Sequence, residues 1–514
     1  MHTRVLLKNT AILSVTSLLL KTVGILFRIY LSARIGAEGM GLYQLIFSVY
    51  VLGSTFAASG LSTAVTRLTT DELVVGSPAS VRRVLRRAVA LTLLIAGAST
   101  ALFFFGAPLI GAVFLRDTRA VTALRVLAFG FPFMGVSSCI RGYFISRRNV
   151  GSSAISQIVE QGSRIALIAW LLGRVSTGIG DACAAVMLGD VASEGIACGW
   201  LCIAYLRDRR RVCCAGESAN VPRGRILRRL LAIAAPITAG RYLNTILRTV
   251  ENFLVPRGLA RYEGSQSAGL SQFGTLKGMV MPLLFFPSSF LGAFSTLLIP
   301  EIAEAKTRGQ NGQVRRTVAH TLHLTLTASV LVGGLFWQFA YPLGQLLYHS
   351  DEVGFLLRVL APLVPVMYAE SVADGILKGL NEQVRSLWYS LADSALRIVL
   401  ILWLVPHYGM AGFLFVMLLS NLLTSGLNTR RLCHVAQVPF CWGRWVLRPA
   451  LCLGVSAYAS NSLLAYTPLG ALPALPHMLL GGAVTAALYI ALLLGSGCVK
   501  KEEFRLQRKK LPSA

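Results

Sequence analysis

Five basic residues lie inside long apolar runs of the sequence, where a charge is costly and therefore informative. They are Lys21, Arg28, Arg241, Arg248 and Lys277. Lys21 and Arg28 are seven residues apart, which is nearly two helical turns, so both lie on one face of a helix, and Arg241 and Arg248 repeat this spacing. Such side chains can form a cationic cavity that receives an anionic group, for example a pyrophosphate. They can also reach water at helix ends or pair with acids on other helices.

A second set of residues in the apolar runs combines acids and bases at helical spacing. They are Glu160 and Arg164, Asp393 and Arg397, and Glu370, Asp374 and Lys378. An acid four residues before a base is the favourable order for a pair within one helix. We interpret the first two as self-neutralised pairs at a seam between helices. For the third group the spacing fits either a local ion pair or coupling to Na⁺ or H⁺.

The elements that position these residues are predicted to be membrane helices. Of the 514 residues, 54% are hydrophobic and only 14% are charged, against about a quarter in soluble domains. Apolar runs near 20 residues span a bilayer as helices, and the sequence predicts an all-α, polytopic protein with about 14 of them. The predicted helices are 9–33, 42–66, 88–114, 120–145, 152–173, 182–206, 227–250, 270–298, 317–347, 355–377, 386–406, 411–429, 446–465 and 476–497.

The basic residues between these helices predict the orientation of the chain. One set of connections carries 33 Lys and Arg residues and the other set carries six. Because cytoplasmic loops are rich in Lys and Arg, both termini are predicted to lie in the cytoplasm of a multi-pass protein of the cell membrane. The net charge of +27 is then concentrated where anionic lipid headgroups attract it, and no nucleic-acid module accompanies it. The ten cysteines show no metal-binding spacing.

An internal repeat predicts how the helices are arranged. The segment 124–172 matches 357–405 without gaps at 16 of 49 positions, beginning with the shared run LRVLA. The offset of 233 residues spans six predicted helices, so both copies cross the membrane in the same direction, as in a parallel repeat. The predicted parts are an N-terminal six-helix bundle (1–206), a basic linker (207–226), a second six-helix bundle (227–431), an extra helix pair (432–498) and a basic tail (499–514).

Two bundles in parallel repeat favour a transporter over a membrane enzyme. The sequence contains no Walker motif for an ATP motor, no D-x-D pair of a glycosyltransferase and no H-E-x-x-H motif. Energy would come from an ion gradient, of Na⁺ or H⁺, or from the gradient of the substrate, and no cofactor is expected. A glycan ligase or acyltransferase is a lesser alternative, for which His349 and Asp351 in a predicted outer loop are the candidates.

Three segments resemble the stage V sporulation protein B and polysaccharide exporter family. They are the run LLKTVGILFRIYLSARIGAEGMGLYQ that begins at residue 19, ENFLVPRGL at 251–259 and LIPEIAEA at 298–305. MurJ-like lipid II flippases and multidrug extruders are relatives within the same superfamily. The resemblance implies 14 helices in two bundles. It also implies that Lys21 and Arg28, with Lys277, correspond to cavity cations of MurJ-like proteins, with Lys standing for Arg at Lys21 and Lys277.

The resemblance implies a flippase that moves an undecaprenyl-pyrophosphate-linked glycan across the cytoplasmic membrane by alternating access. A peptidoglycan precursor such as lipid II, or a related polysaccharide unit, is the expected substrate. Expected partners are the lipid-linked oligosaccharide, anionic membrane lipids and cell-wall synthesis proteins. The alternative within the same fold is a cation-coupled multidrug antiporter, which should carry acidic residues in its cavity helices, whereas the first predicted helix has none.

Overall fold

The computed structural model describes residues 2–58, 60–74, 78–175, 178–212, 223–466 and 473–498. These residues form helices joined by short connections, and the described part of the chain contains no strand. They separate into two compact units. Unit 1 comprises Met1–Gly278 together with Ser394–Phe413, and unit 2 comprises Met279–Asp393 together with Leu414–Ala514. The predicted basic tail, and half of the predicted basic linker (213–222), lie outside the described residues.

Unit 1 contains the helices that carry most of the candidate site residues. They are α1 (His2–Ala58), α2 (Leu61–Val74), α3 (Pro78–Leu109), α4 (Ala120–Ala128), α5 (Gly130–Ser146), α6 (Val150–Leu172), α7 (Ile179–Val212), α8 (Arg223–Glu263) and α9 (Gln266–Gly274), with π-helical turns at Ile110–Leu115 and Thr275–Val280. Helix α6 packs along α7, and α9 packs against both α1 and α8. Buried residues of α2, α3 and α5, among them Leu68, Val84 and Phe144, form one apolar core.

Unit 2 contains the remaining helices. They are α10 (Met281–Phe285), α11 (Ser288–Thr307), α12 (Asn311–Gln338), α13 (Ala340–Tyr348), α14 (Asp351–Leu360), α15 (Val364–Gly379), most of α16 (Gln383–Ala436), α17 (Arg448–Tyr466) and α18 (Ala474–Gly495). Helix α15 packs against α11 and α12, while α17 packs against α12 and α18. The main apolar core of this unit includes Val318, Ile376 and Leu432.

Eight helical segments in the described residues are long and apolar enough to cross a membrane, or nine if the bent pair in α8 is one span. This is fewer than the 14 predicted, partly because two of the eight are very long, at 59 and 54 residues. A helix of 59 residues measures about 90 Å, whereas a bilayer core is about 30 Å thick. Both segments break at a glycine with positive φ, Gly36 (70°) and Gly409 (55°), and each glycine lies in a gap between predicted helices.

Several predicted helices are interrupted or extended in the structure. The predicted helix 120–145 breaks at Phe129, and the predicted helix 317–347 breaks at Phe339. The predicted helix 227–250 continues to Glu263 and bends by 42° between Ala235 and Thr238. Apolarity alone does not reveal these changes, because a break between two apolar segments leaves the hydropathy unchanged.

The internal repeat is visible in the local structure of the two units. Arg125 stacks on the Phe104 ring in unit 1, and in unit 2 Arg358 stacks on Trp337, at guanidinium-to-centroid distances of 5.7 and 4.9 Å. All of these positions are related by the same offset of 233 residues. The repeat therefore extends to residues upstream of the LRVLA runs, where sequence identity is weak.

The backbone repeats the same details between the stacked residues. Arg116 and His349 both adopt the left-handed conformation, with φ of 54° and 50°, and they are also 233 residues apart. In each unit the next amide donates a hydrogen bond to a glycine carbonyl six residues earlier, at 2.9 Å to Gly111 and 3.3 Å to Gly344. Glycine leaves room for this close return of the chain, since a Cβ on Gly344 would lie 2.7 Å from a backbone oxygen.

Candidate functional site

A carboxylate of unit 1, Glu251 on α8, is surrounded by basic residues from three segments. Arg397 of α16 donates from Nη1 to both of its oxygens, at 3.2 and 3.3 Å. The Nζ atom of Lys277 lies 3.6 Å from Oε1 of the same carboxylate. Arg248, three residues before Glu251 on α8, acts electrostatically on Glu251 and Lys277. We call Arg248, Glu251, Lys277 and Arg397 the Glu251 cluster.

The local structure explains how Lys277 reaches this cluster. Lys277 lies in the π-helical turn Thr275–Val280, which precedes Pro282. A π-helical turn displaces a side chain from the register of the flanking helix, and such turns are frequent at functional sites. The Lys277 ammonium also lies 5.8 Å from the centroid of the Phe413 ring. The ring adds a modest attraction to the one that Glu251 provides.

The charges of the Glu251 cluster do not balance. Three basic side chains surround one carboxylate, and that carboxylate is only 5% exposed, whereas Lys277 and Arg397 are each about a quarter exposed. Glu251 therefore neutralises one of the three positive charges that these four residues carry. The structure thus gives Lys277 an acidic partner, as one of the sequence alternatives proposed, while the cluster as a whole remains able to attract an anion.

The other predicted cations lie on α1 and α8. Arg28 is half-buried and acts electrostatically on the buried Tyr43 phenol. Lys21 and Arg241 are exposed, and among the residues that the structure describes neither has an ion-pair partner. The proposed role of these three residues in a cationic cavity stays a prediction.

A second group of charges lies where α5, α6 and α7 pack together. Arg164 contacts Glu160 from Nη2 at 2.9 Å and Asp190 from Nε at 2.8 Å. Arg141 of α5 contacts the other Glu160 oxygen at 2.7 Å. Glu194, which is 5% exposed, accepts a long hydrogen bond of 3.4 Å from the Tyr50 hydroxyl. We call Arg141, Glu160, Arg164, Asp190 and Glu194 the Arg164 cluster.

The Arg164 cluster has the opposite imbalance, with three carboxylates and two guanidinium groups. The predicted pair of Glu160 and Arg164 is present, but it is part of a larger network rather than a self-contained pair. The buried Tyr43 phenol lies within electrostatic range of Arg28, Arg164 and Asp190. Unit 1 therefore holds a cluster with excess positive charge and a cluster with excess negative charge.

The predicted acidic residues of unit 2 make local contacts. Asp374 pairs with Lys378 at 2.5 Å and accepts a hydrogen bond from Ser386. Asp393 accepts a hydrogen bond of 2.6 Å from Ser420. Glu370 is half-buried on the same helix as Asp374. The local ion pair predicted for Asp374 is thus present, and coupling to an ion stays a prediction.

The family of the protein is identified from a match over more than half of the chain, not from the two charged clusters. The family model described as "Polysaccharide biosynthesis protein" matches residues 6–306, which is more than half of the chain. The chain belongs to this family. The matched range includes α1, α8 and the π-helical turn that carries Lys277, so all five predicted cations lie within it.

Two relatives align with most of the length of this chain. Stage V sporulation protein B of Bacillus subtilis (strain 168) is 26% identical over 509 residues, which cover 97% of each chain. Lipid II flippase MurJ of the same organism is 24% identical over 408 residues, which cover 74% of this chain and 73% of that protein. The predicted resemblance is confirmed.

A solved structure of another protein has a similar fold. The structure titled "Lipid II flippase MurJ, inward closed conformation" matches with a TM-score of 0.71 at 13% sequence identity, covering 93% of this chain and 97% of that one. The chain therefore has the all-α fold of a polytopic membrane transporter. Its family and its neighbours are transporters and flippases rather than enzymes. The candidate residues for an acyltransferase make structural contacts, since Asp351 accepts a hydrogen bond from Gln345 and His349 ends α13.

Sequence reasoning did not find most of the Arg164 cluster. Arg141, Asp190 and Glu194 were given no role, although Asp190 and Glu194 are four residues apart on an apolar helix. This spacing places two acids on one face with no base beside them, and it was a usable signal for a partner on another helix. The pairing of Glu251 with Arg397 had no such signal, because the two residues are 146 positions apart.

Proposed function

We propose that this protein is a flippase that moves a lipid-linked glycan across the cytoplasmic membrane. The polar head would pass through the protein by alternating access while the lipid tail stays in the bilayer. The family, together with the similarity to a lipid II flippase, supports a lipid-linked oligosaccharide as the class of substrate.

The observation that carries the proposal is the charge of the Glu251 cluster. Three basic side chains with one acid leave a site that favours an anion, and an isolated cation would be repelled from it. A pyrophosphate diester carries two negative charges and would be attracted to such a site. Guanidinium groups suit the oxygens of a phosphate, since their forked donors can form two parallel hydrogen bonds. We assign Arg248 and Arg397 to the pyrophosphate, with Lys277 held in place by Glu251.

We propose an undecaprenyl-pyrophosphate-linked peptidoglycan precursor such as lipid II as the substrate. Two relatives support a role in the cell wall through their names, a sporulation protein and a lipid II flippase. Lys21 and Arg28 on α1 would meet the same headgroup, because they lie on one face of the first predicted helix. Cell-wall synthesis proteins would supply and consume this substrate on the two sides of the membrane.

We further propose that the Arg164 cluster couples transport to a proton or Na⁺ gradient. The cluster has one carboxylate more than it has guanidinium groups, and the Tyr50 hydroxyl is the only hydrogen-bond partner of Glu194 among the described residues. A cation could therefore neutralise this charge. Tyr43 lies within electrostatic range of both Arg28 and the cluster, so the two groups of charges are near one another in unit 1.

Flipping of fluorescent lipid II in proteoliposomes tests the proposal. We expect the parent protein to move the lipid between leaflets, and Arg28→Ala and Arg248→Gln to lower the rate by at least about tenfold, as expected for the loss of one charged hydrogen bond. Arg34→Gln is the matched control, because Arg34 is exposed on α1 and stacks on Tyr30. An imposed pH or Na⁺ gradient in the same vesicles tests the coupling, which Glu194→Gln should abolish.

The outcome that contradicts the proposal is also measurable in these vesicles. If no lipid-linked sugar is flipped while a cationic drug is expelled in exchange for protons, the protein is a drug antiporter. Equal flipping rates for Arg28→Ala, Arg248→Gln and Arg34→Gln would show that the proposed cationic residues do not take part in flipping.

A further inference from the structure

A cavity of about 630 Å³ in unit 1 is distinct from the Glu251 and Arg164 clusters. Its lining comes from the ends of several segments: the loop after the π-helical turn Ile110–Leu115, the last part of α8, the first residues of α9 and the part of α16 before Gly409. Three arginines line it, namely Arg116, Arg257 and Arg261. All three are on the side of the membrane with few basic residues, where only six were counted. Half of that sparse positive charge is therefore gathered in one cavity.

The local backbone holds two of these arginines in place. Arg116 adopts the left-handed conformation, and its carbonyl accepts a hydrogen bond of 2.5 Å from Nε2 of Gln266. Arg257 donates from Nη2 to the carbonyls of Val113 and Phe114, the latter at 2.7 Å. These carbonyls belong to the last turn of the π-helical segment, where a cation is favoured. Arg257 thus has a partly structural role, whereas Arg116 and Arg261 are exposed and have no ion pair within the described residues.

The acid that lines the cavity is already paired. Asp117 also lines it, but Arg119 contacts Asp117 from Nε at 3.0 Å and from Nη2 at 2.7 Å, and Arg119 reaches Glu38 as well, at 2.7 Å. These hydrogen bonds, chiefly the one to Asp117, raise the pKa of Arg119 above its usual value. Glu263, near the end of α8, accepts a hydrogen bond from Gln272. The three lining arginines therefore meet no unpaired acid in the cavity.

The rest of the lining is apolar, with Leu254, Leu270, Ile401 and Leu402 among its residues. A cavity with an apolar wall and a few convergent charged groups is the usual form of a ligand site, and about 300–1,000 Å³ is the usual size. Three guanidinium groups suit the oxygens of a phosphate, with which their forked donors form paired hydrogen bonds. The apolar wall suits the first methylene groups of a lipid chain. The sequence prediction puts the three arginines outside the spans, toward the lipid headgroups.

We propose that this cavity binds the phosphate or pyrophosphate group of a membrane lipid, with Arg116 and Arg261 as its main ligands. Two sources share this chemistry, an anionic phospholipid and a soluble phosphate compound. The site is independent of the proposed flipping activity, because it would bind the phosphate group whether or not the protein moves a lipid across the membrane.

Binding to the purified, delipidated protein tests the site. Native mass spectrometry would measure apparent dissociation constants for phosphatidylglycerol and for inorganic pyrophosphate, with diacylglycerol as the lipid without phosphate. We expect Arg116→Asn and Arg261→Gln each to weaken binding of phosphatidylglycerol by about tenfold, the usual effect of losing one charged hydrogen bond. Asparagine is chosen at position 116 because it tolerates the left-handed conformation. Arg174→Gln is the matched control, since Arg174 stacks on Trp170 outside the cavity.

The two probes separate the sources of the phosphate. Binding of pyrophosphate with the same dependence on Arg116 and Arg261 would show that the phosphate group suffices, and binding of phosphatidylglycerol alone would show that the lipid chain contributes. Both results support a phosphate site. No binding of either probe, or equal binding by the parent protein and both cavity variants, would overturn it. Arg261→Lys guards against misfolding, because it retains the charge and should recover part of the affinity.

Discussion

Arg164 joins two acids that come from different helices, so much of the charge balance in its cluster depends on this one residue. Replacing it with leucine would leave Glu160 with Arg141 alone and Asp190 with no guanidinium partner among its described contacts. Removal of one partner from a buried ion pair destabilises a protein by about 3–5 kcal/mol, since an uncompensated charge remains. We therefore expect Arg164→Leu to lower the apparent melting temperature in detergent markedly.

Two further variants serve as controls for this prediction. Arg174→Leu removes the same side chain shortly after the end of α6, at an exposed position, and should leave the melting temperature nearly unchanged. Asp190→Asn combined with Arg164→Leu should be more stable than Arg164→Leu alone, because it removes the stranded charge. A single Arg164→Leu variant as stable as its parent would show that the cluster is hydrated and contributes little.

At the scale of residues, local spacing predicted the pairs that lie within one helix and failed for the others. The pair of Glu160 and Arg164 and the pair of Asp374 and Lys378 follow from a separation of four residues. The contact of Arg397 with Glu251 depends on how α8 and α16 pack, and helix packing is not encoded in local spacing. Basic residues in apolar segments could thus be recognised, but their partners could not.

At the scale of helices, α1 and α9 approach closely through two glycines. A Cβ on Gly41 would lie 2.0 Å from the Leu270 carbonyl oxygen, and one on Gly274 would lie 2.0 Å from the Ala37 carbonyl oxygen. No side chain can occupy either position without separating the two helices. The GLYQ and GLSQ runs, which begin at residues 41 and 269, lie at this crossing. Gly41 contacts Leu270 of the second run, whereas Gly269 packs against Ala260 and Pro256 of α8.

We expect Gly274→Ala to destabilise the protein by about 1–3 kcal/mol, the usual effect of forcing extra atoms into a packed interface. Gly162→Ala is the matched control within α6, because no atom lies within 4 Å of the Cβ position there. That change should be neutral or should stabilise the protein by about 0.5–1 kcal/mol, since alanine favours helix. Thermal unfolding of both variants in the same detergent measures the difference. Equal melting temperatures would mean that α1 and α9 do not approach closely in solution.

The existence and type of the helices were predictable, because long apolar runs leave few alternatives in a membrane. Their ends were less predictable. The breaks at Gly36 and Gly409 fall in predicted gaps, whereas the π-helical turn that carries Lys277 lies in the middle of an apolar run that shows no change of hydropathy. The all-α fold is therefore confirmed, whereas the count of 14 spans stays a prediction.

At the scale of the whole molecule, the distribution of basic residues predicts which side of the membrane each connection faces. The same prediction puts the phosphate-binding cavity on one side and Cys441, which is exposed in the connection after α16, on the other. This orientation depends only on the sequence count of 33 against six, so an experiment on intact cells is needed to test it.

We expect a membrane-impermeant maleimide to label Cys441 only after the cells are permeabilised, because the connection after α16 is predicted to be cytoplasmic. The other nine cysteines would be replaced by alanine so that one thiol reports the result. Thr118→Cys in a cysteine-free chain is the matched control. It is exposed in the connection that carries Arg116, and it should be labelled in intact cells. Labelling of Cys441 in intact cells would reverse the orientation and would place the phosphate-binding cavity at the cytoplasmic leaflet.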